Sequence, residues 1–296
     1  MHICVCICTF KRPSLLKKLL FALDGQETAG EFTYSIVVAD NDFDQSARLT
    51  VHEARAHSPV AIKYCVEPHQ NIAMARNKAV ENSTGDFLAF IDDDEYPHED
   101  WLLTAYRTCT SYGADGVLAP VRPFFEHEPP RWITRGGFFE RPEYPTGYKL
   151  SWRETRTGNV LIRRRILHRI REPFRPEFGN GGEDQEFFKR MMKLGAVFLW
   201  CNEAAVYEVV PPERCRRRYL LRRALQRGQC EKGLADFPGI CKSLIAVPLY
   251  ALVLPFLLLA GQHWFMRYLI RLCDHAGKLC GIFGYAPTGD KYITDS

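Results

Sequence analysis

The sequence predicts an α/β fold, with a mostly parallel central sheet and helices packed on both of its faces. Two observations carry this expectation. Over residues 1 to about 120, short apolar runs alternate with helical stretches, the signature of strands joined by crossover helices. The residues that close three of those runs, Thr9, Asp40 and Asp92, are polar, and open sheets of this kind bind ligands beyond the carboxyl ends of their strands.

The elements follow in order. Residues 3–8 read as a strand, and Thr9-Phe10-Lys11-Arg12-Pro13 as the turn after it. Ser14 is the expected helix N-cap, with Leu15, Leu16, Leu19, Leu20 and Leu23 on one face. Residues 34–39 form a second strand that ends in Asp40-Asn41-Asp42, and residues 61–66 a third. Residues 72–81 form a helix closed by the turn Asn82-Ser83-Thr84-Gly85, and residues 87–91 a strand that runs into the acids. Residues 121–150 are rich in Pro, Gly and aromatics and are expected to be a long loop of the kind that forms lids and binding loops. A strand at 159–163, a basic helix, a helix over 179–194 and a strand at 197–201 complete the fold.

Composition bounds the function. The chain has 296 residues, 46% of them hydrophobic and 25% charged, which suffices for a sizeable core. The net charge of +4 is unevenly placed: seven arginines and no acid lie between Arg214 and Arg227. That points to a local anionic partner and away from general nucleic-acid binding. The N-terminus has no basic segment followed by an apolar one, so no secretory signal is expected. Eleven cysteines without a Cys-x-x-Cys pair fit reduced thiols, and Cys4, Cys6 and Cys8 share one strand face as small core residues.

The tail differs from the rest. Residues 243–266 are 24 consecutive residues without a charge, bracketed by Lys242 and Arg267. The run is long enough to span a bilayer, but Pro248, Pro255 and the polar Gly261-Gln262-His263 interrupt it. A kinked span, a re-entrant hairpin, an interfacial helix and a buried helix pair all remain open. Arg267, Arg271 and Lys278, with Trp264 and Tyr268 among them, suit a cytoplasmic membrane interface.

Four acids, Asp92-Asp93-Asp94-Glu95, follow directly on an apolar strand, where they would repel one another. A divalent cation held with a diphosphate relieves that repulsion, since Mg²⁺ and Mn²⁺ take carboxylate and phosphate oxygens. A solvated loop or a helix N-terminus would use the same residues. Glu183-Asp184, after glycines and before Phe187, Phe188, Met191 and Met192, reads locally as a helix start. His69, His98 and His127 lack metal-pair spacing, and Gly179-Asn180-Gly181-Gly182 lacks the P-loop lysine.

Several motifs stand in order along the chain. They are Cys8-Thr9-Phe10-Lys11-Arg12-Pro13, Val37-Val38-Ala39-Asp40-Asn41, Ala75-Arg76-Asn77, and Phe90-Ile91-Asp92-Asp93-Asp94. Thr157-Gly158-Asn159-Val160-Leu161-Ile162-Arg163-Arg164 and Gly181-Gly182-Glu183-Asp184-Gln185-Glu186-Phe187 follow. In order and spacing this set resembles the family 2 glycosyltransferases of the GT-A fold, over residues 3–230, and most of all the non-processive transferases of exopolysaccharide assembly, the succinoglycan glucosyltransferase type. The resemblance implies a catalytic domain over 1–212, with a nucleotide-binding half at 1–120 and an acceptor-binding half at 121–212. An arginine-rich helix over 213–240 and an apolar, membrane-associated segment over 241–296 would follow it.

The resemblance also implies roles. Thr9 and Asp40 would contact base and ribose, and Arg76 the base or diphosphate. Asp92 and Asp93 would lie at the donor, Asp92 near ribose and metal, and Asp94 would ligate Mn²⁺ or Mg²⁺. Asn159 would shape the donor-sugar or acceptor pocket. Asp184 would be the general base, with Glu183 beside the acceptor, and Arg217 and Arg218 would meet the acceptor or a diphosphate. Processive relatives carry Gln-x-x-Arg-Trp, where this chain has Cys215-Arg216-Arg217-Arg218-Tyr219, which argues for a single transfer. The expected partners are a nucleotide-sugar donor, UDP-glucose first, a lipid-linked glycan acceptor and the cytoplasmic face of the membrane, with no nucleic acid. Two other readings remain: a sugar-nucleotide nucleotidyltransferase, which would need glycines and a lysine in the first loop, and a membrane-bound carbohydrate-binding scaffold, which leaves the acids without a task.

Overall fold

A computed structural model describes residues 1–230 and 237–285. The chain divides into two compact units. The first comprises Met1–Arg122, Arg141–Gly179 and Glu183–Glu208; the second comprises Pro123–Glu140, Asn180–Gly182 and Val209–Ser296. The 121–150 stretch, expected to be one loop, therefore contributes to both.

The first unit begins with β1 (His2–Thr9), α1 (Pro13–Leu23), β2 (Thr33–Asp40), α2 (Arg48–His57), β3 (Ile62–Val66), α3 (Ile72–Asn82) and β4 (Phe87–Asp92). Then come β5 (Glu95–Pro97), α4 (Trp101–Ser111), β6 (Gly116–Leu118) and β7 (Val121–Phe124). In the second unit α5 (Arg131–Gly136) is a short helix. Back in the first, β8 (Val160–Arg163), α6 (Glu183–Lys193), β9 (Phe198–Trp200) and β10 (Val206–Val209) follow. The second unit then holds α7 (Arg217–Cys230), α8 (Phe237–Ala260) and α9 (Gln262–Ile282).

Seven strands form the central sheet in the order β3-β2-β1-β4-β8-β6-β9. All neighbours pair in parallel except β8, which runs antiparallel between β4 and β6. The mostly parallel sheet is thus as the sequence predicts.

Strand β1 shows why both faces are covered. Ile3, Val5 and Ile7 pack into one core with Leu16, Leu19, Leu20 and Leu23 of α1, Val51 of α2 and Trp101 of α4. Cys4 and Cys6 point the other way, to Ala73 and Ala79 of α3 and Phe187, Phe188 and Met191 of α6. Successive strand residues face opposite sides, so an apolar run of both parities needs helices on both. The alternating cysteines are core residues, as expected, and the eleven cysteines are thiols outside any disulfide.

Three local expectations are corrected. Ser14 does not cap α1: Pro13 takes the first helical position and Arg12 precedes it without a side-chain cap bond. Proline fits there because its fixed φ suits a helix and its missing N–H has no partner to lose. The stretch 121–150 is not one loop, since β7 and α5 lie in it. The basic stretch after β8 is a 3-10 helix, Arg164–Arg169, not an α-helix.

In the second unit Ile133, Val210, Cys215 and Leu220 form a small core that Trp132, Phe138, Tyr219 and Ile270 flank. The uncharged run 243–266 is two helices, broken at Gly261 (φ 122°), a backbone angle that suits glycine alone. Parts of the segments expected at 213–240 and 241–296, residues 231–236 and 286–296, lie outside the described residues.

Candidate active site

The sheet order fixes where a site can form. The chain moves from β1 outward through β2 to β3, then returns to the other side of β1 as β4. The reversal leaves a crevice at the carboxyl ends of β1 and β4, the place where open α/β sheets bind ligands. Register brings the polar strand ends together there: Thr9 lies opposite Asp40, and Cys8 opposite Asp92.

The acidic triplet divides into an anchor and an outward face. Asp93 is buried and accepts hydrogen bonds from Thr9 Oγ1 at 2.7 Å and from Arg12 at 3.1 Å. Arg12 also reaches Asp94 Oδ2 at 3.2 Å. Burial pushes the Asp93 carboxyl up to about 7, with Arg12 opposing and Asp94 adding to the rise. Glu95 is raised too, by burial first and then by Asp92 and Glu208, its partner across the β5–β10 pairing. Arg141, ion-paired with Glu208, offsets part of that charge. Asp92 alone has a largely open side chain, 46% exposed.

Arg76 joins the triplet to the second acidic motif. It projects from α3, whose first turn is fixed by Asn71 capping the Met74 N–H at 3.1 Å. Its guanidinium is ion-paired with the buried Glu183 and lies 3.7 Å from Asp92 Oδ1. The next residue, Asp184, is part of the first turn of α6; one of its oxygens accepts from the Gln185 N–H at 2.7 Å. Burial raises the Asp184 carboxyl above its ordinary value, and Arg76 partly opposes the rise. Residues more than 90 positions apart in sequence thus meet through one arginine.

Two further residues belong to this cluster. Burial lowers Arg156 to about 10, with Arg141 adding to the fall, while Glu95, Glu208 and Asp184 hold it up. A Cβ at Gly158 would lie 2.7 Å from Glu95 Oε1 and 3.2 Å from Asp92 Oδ2, so any side chain there would collide with the acids. The sequence reading missed the parts played by Arg12 and Arg156. The basic Lys11-Arg12 pair in the turn after β1 was the available signal for the first; Arg156 has only its place before Thr157-Gly158.

Other expected site residues also make contacts that hold the fold. Asp40 is fully buried: its oxygens accept from the Asp42 and Ala47 N–H groups, at 3.1 and 2.9 Å, and from the Tyr64 hydroxyl at 2.8 Å. Asn159, with φ 56°, accepts from Trp101 Nε1 at 2.8 Å and donates to the carbonyls of Pro120 and Ala204, each at 2.8 Å. Both hold loops in place. Arg217 and Arg218 are exposed on α7 in the second unit. Among the described residues no three His, Cys, Asp or Glu side chains converge to cage a metal by themselves. His69 bonds Glu67 and His98 packs on Tyr207.

Comparison with known proteins follows the same lines. Residues 4–171 match the family described as "Glycosyl transferase family 2". The chain is 35% identical over 300 residues to succinoglycan biosynthesis protein ExoM of Rhizobium meliloti, covering 96% of this chain and 94% of that protein. It is 28% identical over 207 residues to glycosyltransferase AglE of Haloferax volcanii, 67% of this chain and 64% of that one. In fold it is similar to the mannosyltransferase PcManGT of Pyrobaculum calidifontis, solved with GDP-Man and Mn2+ (TM-score 0.61, 17% identity, 94% of this chain and 86% of that one). It is also similar to S. aureus TarS 1–349 solved with UDP-GlcNAc (TM-score 0.56, 16% identity, 97% and 93% covered). The fold is therefore of the GT-A type, the nucleotidyltransferase and scaffold readings fall away, and this chain belongs to the family 2 glycosyltransferases, as a relative of the succinoglycan biosynthesis enzymes.

Proposed function

We propose that the protein moves a single sugar, with inversion, from a nucleoside-diphosphate donor to a lipid-linked glycan in exopolysaccharide or surface polysaccharide assembly. The observation that carries this reading is Arg76, which ties Asp92 of the triplet to Glu183 and sets Asp184 beside them. The donor is proposed to be a UDP-sugar, UDP-glucose first; the TarS structure with UDP-GlcNAc supports a uridine donor.

The residues fit a divalent cation. Asp93 and Glu95 are raised by burial first and then by neighbouring acids, so carboxyls crowd this strand end and oppose one another's ionisation, which a bound cation would relieve. All its donors are hard oxygens, suited to Mn²⁺ or Mg²⁺ shared with a diphosphate, which needs only one or two protein carboxylates. Asp92 and Asp94 would hold the ion; that a protein of similar fold, PcManGT, was solved with Mn2+ supports a metal here. When bound, it would stabilise the charge that develops on the departing diphosphate.

The chain's own residues do the rest. Thr9 and Asp40 shape the base and ribose end, Asp40 through the loop it organises. Arg76 is positioned by Glu183 to face the diphosphate. Asp184 takes the proton of the acceptor hydroxyl as its oxygen attacks the anomeric carbon; the C–O bond to the diphosphate breaks and the electron pair leaves with the nucleoside diphosphate. A single displacement inverts the anomeric centre and uses no enzyme nucleophile. Arg217 and Arg218 are proposed for the acceptor's anionic diphosphate. Incubation with Mn²⁺ and a panel of nucleotide sugars, scored by free nucleoside diphosphate, tests the proposal. Release with one donor, stimulated by lipid-linked acceptor, is expected; no release from any donor contradicts it.

A further inference from the structure

Helix α8 is apolar along its length, and its exposure is patterned. Its most apolar stretch has a mean hydropathy of 2.4, and only 11% of that stretch is buried. Ile245, Leu249, Leu252, Phe256 and Leu259 are 68, 53, 71, 69 and 89% exposed. They stand three or four residues apart, so they line one face of the helix.

What packs beside α8 decides how that face can meet lipid. After Gly261 the chain turns back, and α9 runs antiparallel along α8. Ser243 Oγ lies 2.9 Å from His275 Nδ1, and the Tyr250 ring 5.6 Å from Tyr268. Within that length α9 carries Arg267, Arg271, Asp274 and Lys278. Helix α7 packs on α9 in turn, with Arg227 bonding Asp274 at 2.9 and 2.8 Å. Were α8 to stand across a bilayer, Arg267 and Arg271, which flank the Tyr250–Tyr268 contact near the middle of α8, would be carried to the depth of the bilayer's middle, where each is costly. Lying flat, α8 can bury its stripe while α9 stays at headgroup level. Two aromatic–cation pairs suit that level: Arg267 lies 5.2 Å from the Trp264 ring and Arg271 5.3 Å from Tyr268.

We propose that α8 docks the protein on an anionic membrane surface as an in-plane helix, sinking its Ile245–Leu259 stripe into one leaflet without crossing the bilayer. This deepens the reading of a lipid-linked acceptor: the enzyme works on one face of the membrane, where its soluble donor is. Exposed Arg218, Arg222 and Arg223 on α7, with Arg216 just before it, give the same unit a basic surface that favours anionic headgroups.

Sedimentation of the full chain with phosphatidylcholine vesicles, with or without phosphatidylglycerol, tests the docking. Salt-sensitive binding to the phosphatidylglycerol vesicles is expected. Together Leu249→Glu, Leu252→Glu and Phe256→Glu should weaken it on the order of tenfold or more, since each puts a charge where apolar area was buried. The thermal shift with UDP should be unchanged in that variant, which keeps failure of docking separate from failure of the transfer reading. Nitroxides placed in turn at positions 245, 252 and 259 should report one common depth. A steady gradient of depth along the three positions would overturn the in-plane placement. So would absence of vesicle binding together with a dimer that the three substitutions dissociate, an outcome that assigns the stripe to a second copy of the chain.

Discussion

At the scale of single residues, the site is a balance of buried charges that one arginine organises. Arg76 pairs with one oxygen of Glu183, faces Asp92 and moderates Asp184. Asp184→Asn should therefore keep nucleotide binding, measured by calorimetry, and lose about 10²–10⁴-fold in transfer, the range of a general base; loss of both together would contradict the assignment. The base works only when ionised, and burial raises its pKa above 3.8. Transfer should thus fall as pH drops through a value above the ordinary aspartate range. Removing the opposing positive charge with Arg76→Gln should move that limb to higher pH in whatever activity survives, alongside a stability loss of about 3–5 kcal/mol from leaving Glu183 buried and unpaired. A limb that stays in place in the pH–kcat/KM profile would count against Asp184. Thr9, Asp92 and Asp94 were legible in the sequence because strand ends are. The Arg12–Asp93 contact was not, since it closes over 81 residues and only the β1–β4 pairing creates it.

At the scale of elements, the fold places loops by spending polar side chains that the motifs single out. Asn159 directly precedes β8, which runs antiparallel to both of its neighbours in the central sheet, and is bonded to Trp101, Pro120 and Ala204. Truncation would strand a buried indole N–H and two buried carbonyls. Asn159→Ala should accordingly lower unfolding stability by about 2–4 kcal/mol in chemical denaturation, at a cost of roughly 1–3 kcal/mol for each unsatisfied group that relaxation fails to rescue. A neutral effect on stability with a loss of donor affinity would contradict the structural part and leave Asn159 its expected place in the sugar pocket. The motif marked the position, but its partners lie 39 to 58 residues away and no local pattern encodes them. The 121–150 stretch misled for a related reason: its composition is that of a loop, yet β7 forms by pairing with β10, far along the chain. Of the interruptions the sequence marks in the uncharged run, the break between α8 and α9 falls at Gly261, while Pro248 and Pro255 lie inside α8.

At the scale of the whole molecule, α/β alternation dictated the parallel sheet, the sheet order created the crevice, and the crevice collected the acids. That chain of consequence was readable because buried parallel strands leave so plain a pattern. The division into units was less so, for segments 123–140 and 180–182 join the C-terminal helices through tertiary packing alone. The central claim is that the β1–β4 crevice binds a nucleoside diphosphate together with a divalent cation. Thermal unfolding of the full chain with UDP and Mn²⁺ tests it most directly. A rise in Tm with both, abolished by EDTA and absent in Asp92→Asn, is the predicted result. No response of the wild-type protein to UDP, GDP or their sugars, with or without Mn²⁺, would contradict it.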